Sequence, residues 1–131
     1  MMKPSLWIVL WVLYAGAIAF CSHLPYRSQA GFAPFPGFDK FLHAAEFALF
    51  FFLARKALKE RSGWAFLLTV LFAASDEFHQ SFVASRDASF LDFMADGLGA
   101  AIGFFALTRI QILWRIRRQR ILGDSTSKGD E

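Results

Sequence analysis

Hydrophobic positions along this chain fall into four blocks, and every block after the first has an end rich in acidic residues. Residues 6–22 form an apolar run without a charge. The second block, 41–54, carries His43 and Glu46 and is preceded by Asp39 and Lys40. The third, 64–75, runs into Asp76 and Glu77, and the fourth, 97–108, follows Asp92 and Asp96. A bilayer core of about 30 Å takes about twenty apolar residues to cross. Taken without their polar ends, the last three runs are short and would suit buried helices of a soluble protein. With those ends included they become segments of spanning length, 39–58, 64–83 and 90–114. No period-two alternation competes with a helical reading. The pattern therefore predicts an all-α fold, a four-transmembrane-helix bundle.

The connections support that division. Residues 24–38 contain Pro25, Pro34 and Pro36 with Gly31 and Gly37, a loop that cannot continue a helix. Residues 1–120 read as one membrane domain, and 121–131 as a polar tail expected to be disordered. There is no internal repeat.

Composition strengthens the membrane reading. The 131 residues are 56% apolar and 18% aromatic, with mean hydropathy +0.39, against roughly 45–50% apolar in soluble domains. A single Cys excludes an internal disulfide framework and a Cys-based zinc site. That residue, Cys21, closes the first apolar run, which raises the question of a signal peptide. Phe20 is a poor residue before a cleavage point, where small side chains are wanted, so the run is read as a retained helix rather than a lipoprotein signal.

The net charge of +3 matters less than its placement. Basic residues cluster at 55–61 and 109–120, a pattern that beside hydrophobic helices marks the cytoplasmic side rather than nucleic-acid binding. With both termini cytoplasmic, eleven Lys and Arg lie inside. Only Arg27, Lys40 and Arg86 lie outside, as the positive-inside rule expects. Trp7, Trp11, Trp64 and Trp114 then fall towards the inner interface.

This topology gathers the ionisable residues in the outer half of the bilayer. Asp39, His43 and Glu46 share one helical stripe. Asp92, Asp96, Gly99 and Gly103 share another, and Gly99 to Gly103 is a GxxxG spacing that permits close helix approach. Asp76, His79 and Gln80 lie on one side of the third helix, with Glu77 about 100° from Asp76. Glu46, Asp76 and Asp96 are each expected about 10 Å inside the outer helix ends. A charged side chain near the bilayer centre costs about 2.5–3.5 kcal/mol on insertion scales. These groups are therefore expected to face one another or an outward-facing polar pocket.

At these residues the chain resembles the VanZ-like family of small bacterial membrane proteins. The resemblance is carried by Asp39-Lys40-x-x-His43-x-x-Glu46-Phe47, by Ser75-Asp76-Glu77-Phe78-His79-Gln80, by Arg86, and by Asp92-x-x-x-Asp96-x-x-Gly99-x-x-x-Gly103. Two positions depart from the family pattern: Ala84-Ser85 stands where Pro-Gly often precedes the Arg, and Asp96 where Asn is common. The resemblance implies a multi-pass protein of the bacterial cytoplasmic membrane. It also implies an envelope role, since the namesake is associated with lowered susceptibility to the glycopeptide teicoplanin.

The residues leave several functions open. The polar groups can act as an inter-helix network. They can bind a lipid headgroup or lipid-linked cell-wall intermediate, with Arg86 and Lys40 meeting its anionic group. Arg86 can equally pair with Asp87 or Asp92. The same carboxylates and histidines can serve a hydrolase or transferase, and His43, Glu46, Asp76 and His79 form a conceivable divalent-metal set. A proton-coupled carrier is disfavoured, because the inner half shows no matching polar residues. Expected partners are membrane lipids, a lipid-linked intermediate or a glycopeptide, with a homo-oligomer open and nucleic acid excluded.

Overall fold

The computed structural model describes residues 3–23, 34–83 and 89–127, with side chains up to residue 121. Among them are four helices and no strand: α1 (Pro4–His23), α2 (Phe38–Ala57), α3 (Ser62–Gln80) and α4 (Phe90–Ser127). The helices follow the hydrophobic blocks closely. α1 starts on Pro4, whose fixed φ and missing N–H suit a first helical position. α2 starts after Gly37 at φ 82°, a left-handed conformation open to glycine, which turns the proline-rich segment into the helix. Asp39 in its first turn and Arg55 and Lys56 in its last complement the helix dipole. α4 runs on to Ser127, so residues 121–127 are helical rather than part of a disordered tail. Its Arg-rich stretch consists of good helix formers that simply continue the preceding turns.

The α2–α3 turn is tight and charged. Lys59 and Glu60 adopt φ of 53° and 66°, unusual for residues with a side chain. The turn is closed by the Glu60 N–H donating to the Arg55 carbonyl at 2.8 Å. The Glu60 carboxylate also pairs with Arg55 at 2.7 Å and Lys56 at 2.6 Å, holding that backbone in place.

α2 is the central element. It packs most extensively on α4, and also against α1 and α3, while α1 only brushes α3 and does not meet α4 among the described residues. The core is aromatic. Phe47, Phe50 and Phe51 are buried, Phe50 stacks on Phe72 at 4.6 Å, and Phe104 lies against both Phe51 and Phe66. Trp7 on Phe52 and Trp11 on Phe50 fix α1 antiparallel to α2.

The exterior inverts the soluble pattern. Large apolar side chains such as Leu13, Phe20, Leu71, Phe78, Leu98 and Phe105 are exposed, while Asp76, Asp96 and Gln80 are buried. α1 and the Phe90–Ile121 part of α4 are long and apolar enough to cross a membrane. α2 and α3, with their polar ends, do not reach that composition. Two such helices and an apolar exterior point to a membrane protein.

Candidate functional site

The glycine stripe of α4 determines how near its polar residues come to α2. A Cβ on Gly99 would stand 2.0 Å from the Ala44 carbonyl oxygen, and one on Gly103 would stand 2.9 Å from the Phe51 ring. The two backbones therefore nearly touch, as the GxxxG spacing predicted. This contact forces the polar groups one turn further along together. Asp96, 1% exposed, accepts from His43 Nδ1 at 2.9 Å. Another turn towards the helix ends, Lys40 Nζ reaches across to Asp92 and also donates to Asp39 at 2.8 Å. Lys40 rather than Asp39 thus faces α4. Asp39, expected on the same stripe as His43, is about half exposed, because one position nearer the helix start turns its side chain away from the close contact.

A second polar junction joins α1 to α3. Ser22 Oγ and Gln80 Nε2 each donate to Asp76 Oδ2 at 2.7 Å, and Gln80 Nε2 lies 3.3 Å from Ser22 Oγ. All three residues are buried. Just beyond them, the exposed rings of His23 and His79 stack, with Nδ1 and Nε2 3.4 Å apart. Glu77 leaves α3 on a different side from Asp76, in keeping with its offset of about 100°. Its Oε2 accepts the Ser89 N–H at 3.1 Å, immediately before α4 begins. Glu77 so ties the end of α3 to the start of α4.

The ionisable residues picked from the sequence therefore gather at one end of the bundle, but in two clusters. Asp39, Lys40, His43, Asp92 and Asp96 belong to the α2–α4 junction, and Asp76, Gln80 and His79 to the α1–α3 junction. Glu46 lies between them on the half-buried flank of α2 that meets α1, its backbone carbonyl accepting from the Tyr14 hydroxyl at 3.4 Å. Arg86, and with it the alternatives of pairing to Asp87 or Asp92, lies outside the described residues.

Ser22 and His23 were not singled out in the sequence. The available signal was position: they are the polar pair that closes an otherwise apolar helix at the level of the other polar ends. Arg55 needs a correction of another kind. Read only as part of a basic cluster marking the cytoplasmic side, it is 3% exposed, paired to Glu60 and donating from Nη2 to Gln111 at 2.6 Å. The opposite end of the bundle thus holds a buried polar group of its own.

Chemically, the α2–α4 cluster offers a histidine oriented by a buried carboxylate beside a lysine held between two acids. The four residues weighed as a metal set do not come together: His43 pairs with Asp96, Asp76 with Ser22 and Gln80, and His79 with His23. Among the described residues no three His, Cys, Asp or Glu side chains converge as metal donors. An apolar groove of about 370 Å³ opens elsewhere, between α1, α2 and α3, lined by Trp11, Ala15, Phe50, Leu68, Leu71 and Phe72.

Neither a curated protein nor a solved structure matches the chain. A family model described as VanZ/LLP1 matches residues 5–114, which takes in α1, α2, α3, both polar junctions and the glycine stripe of α4. The chain belongs to the VanZ/LLP1 family.

Proposed function

We propose that this protein sits in the bacterial cytoplasmic membrane with the polar end of its bundle facing outward. There it binds an anionic lipid headgroup or a lipid-linked envelope component and so modulates susceptibility to glycopeptides such as teicoplanin. The observation that carries the reading is the concentration of Asp39, Lys40, His43, Asp76, Gln80, Asp92 and Asp96 at one end of a bundle whose flanks are apolar. Inter-helix hydrogen bonds in membranes average about 0.6 kcal/mol, small against an insertion cost of about 2.5–3.5 kcal/mol per charge. Scaffolding alone is a poor reason to keep so many. Lys40, at the rim and about one third exposed, supplies a cation, and Arg86, which lies outside the described residues, supplies the planar fork suited to phosphate. The groove lined by Trp11, Phe50 and Phe72 gives an acyl chain a place on the same bundle.

Lipid mass spectrometry on protein purified in native-lipid particles tests this reading. Wild type is expected to retain anionic lipid in excess over its share of the membrane. Lys40→Ala and Arg86→Ala lose the excess, and expression of wild type, but not of these variants, shifts teicoplanin susceptibility. Retention of lipids in bulk proportion by wild type contradicts the proposal.

A second reading is favoured by one specific contact. His43, oriented at Nδ1 by the buried Asp96, has the arrangement of a general base that would take a proton at its other nitrogen. A membrane-embedded hydrolase or transferase acting on the same class of lipid would use it so. Turnover of lipid-linked intermediates that is lost in His43→Gln would establish this reading. Tight binding without turnover would leave the binding module.

A further inference from the structure

The two imidazoles at the end of the α1–α3 junction have no part in that reading. His23 is the last residue of α1, and His79 lies in the last turn of α3. His23 Nδ1 and His79 Nε2 stand 3.4 Å apart, with rings inclined by 30° and centroids 5.6 Å apart. The two nitrogens stand at the long limit of a ring N–H···N hydrogen bond, beyond the usual range of about 2.7–3.2 Å. Their separation does match the edge of a tetrahedral metal site. Two imidazole nitrogens, each about 2.0–2.1 Å from one zinc ion, lie about 3.3–3.4 Å from each other.

The spacing is held from behind. Ser22, next to His23, and Gln80, next to His79, both donate to Asp76 Oδ2 at 2.7 Å. This buried knot pins the ends of α1 and α3 at the level of the two rings. Two further features favour a cation. Both histidines occupy helix C-termini, where the macrodipole presents its negative end. Both are exposed, so an ion has access and water can complete its coordination.

We propose that His23 and His79 form a two-histidine site for a divalent transition ion of the zinc or copper type, completed by water and clamping α1 to α3. Imidazole suits these ions, whereas calcium and magnesium require oxygen ligands. An ion bound only in the folded state stabilises the bundle by mass action.

The chain has three histidines, which makes the test compact. The full chain, carrying an affinity tag without histidines, is stripped with chelator in detergent micelles and titrated calorimetrically with zinc chloride. Thermal unfolding is recorded with and without the ion. Wild type is expected to bind zinc saturably, one ion per chain, and to unfold at a higher temperature with zinc. His23→Gln and His79→Gln each weaken binding by more than the roughly 10–100-fold typical of losing an outer-shell partner and abolish the thermal shift. Because both rings are exposed, neither variant changes unfolding in the absence of metal, which separates lost ligation from a lost fold. His43→Gln keeps the site. The proposal is overturned if wild type does not bind zinc, if binding survives either terminal substitution, or if His43→Gln removes it. None of these results bears on lipid retention, so this inference and the proposed function fail separately.

Discussion

At the scale of single residues, what distinguishes the polar groups is whether a neighbouring helix satisfies them. Asp76 is 6% exposed and accepts two hydrogen bonds through one oxygen, whereas Asp39 is about half exposed and answers only to Lys40. Asp76→Ala leaves Ser22 and Gln80 with a lost acceptor inside the bundle and should destabilise it on the order of 1–3 kcal/mol. Asp39→Ala removes an exposed ion pair and should cost under about 1 kcal/mol. Denaturant unfolding in micelles, followed by circular dichroism, separates the two. Helical phase alone was enough to find Asp76, His43 and Asp96, and to set Glu77 apart from Asp76. It set Asp39 on the His43 stripe, whereas Lys40, one position on, faces α4 and reaches Asp92. It also passed over Ser22 and His23, since a short polar ending on a clean apolar run carries no periodicity of its own.

At the scale of elements, helix approach is governed by small residues on both faces of one contact. Gly99 meets the Ala44 backbone, Gly103 meets the Phe51 ring, and Gly97 has nothing within 4 Å of a would-be Cβ. The three alanine substitutions should therefore grade. Gly99→Ala must push two backbones apart and should cost about 1–3 kcal/mol. Gly103→Ala meets the Phe51 side chain at 2.9 Å rather than a backbone at 2.0 Å and should cost less. Gly97→Ala should be neutral or stabilising by up to about 1 kcal/mol, since glycine is a poor helix residue. The same unfolding measurement on the series checks the order. The spacing of the stripe was visible in the sequence, and so were the helix ends near Gly37 and Gln80. The extension of α4 to Ser127 was not, because a charged helix end and a charged tail share a composition. The burial of Arg55 was hidden too: its partners, Glu60 and Gln111, come from a turn and from a helix more than fifty residues away.

At the scale of the whole molecule, the decisive feature is the arrangement of four helix ends. The end of α1 meets the end of α3, the start of α2 meets the start of α4, and Glu77 links the end of α3 to the start of α4. All four polar ends thus share one pole of a bundle with apolar flanks. Block lengths and loop charges predicted that pole, but not which helices pair there. Neighbour choice depends on three-dimensional contacts such as Gly99 on Ala44 and Trp11 on Phe50, and these divide the hydrogen bonds of the acids between two junctions. The loop charges predict that this pole faces outward, and the side it faces is open to direct measurement. In a Cys21→Ser background, single cysteines at Asp39, Arg86, Lys59 and Ser125 are exposed to a membrane-impermeant maleimide added to intact cells. The account predicts labelling of the cysteines at Asp39 and Arg86, and none at Lys59 and Ser125 until the membrane is opened. Labelling of Asp39 and Arg86 from opposite sides, or of both only after opening, would contradict it.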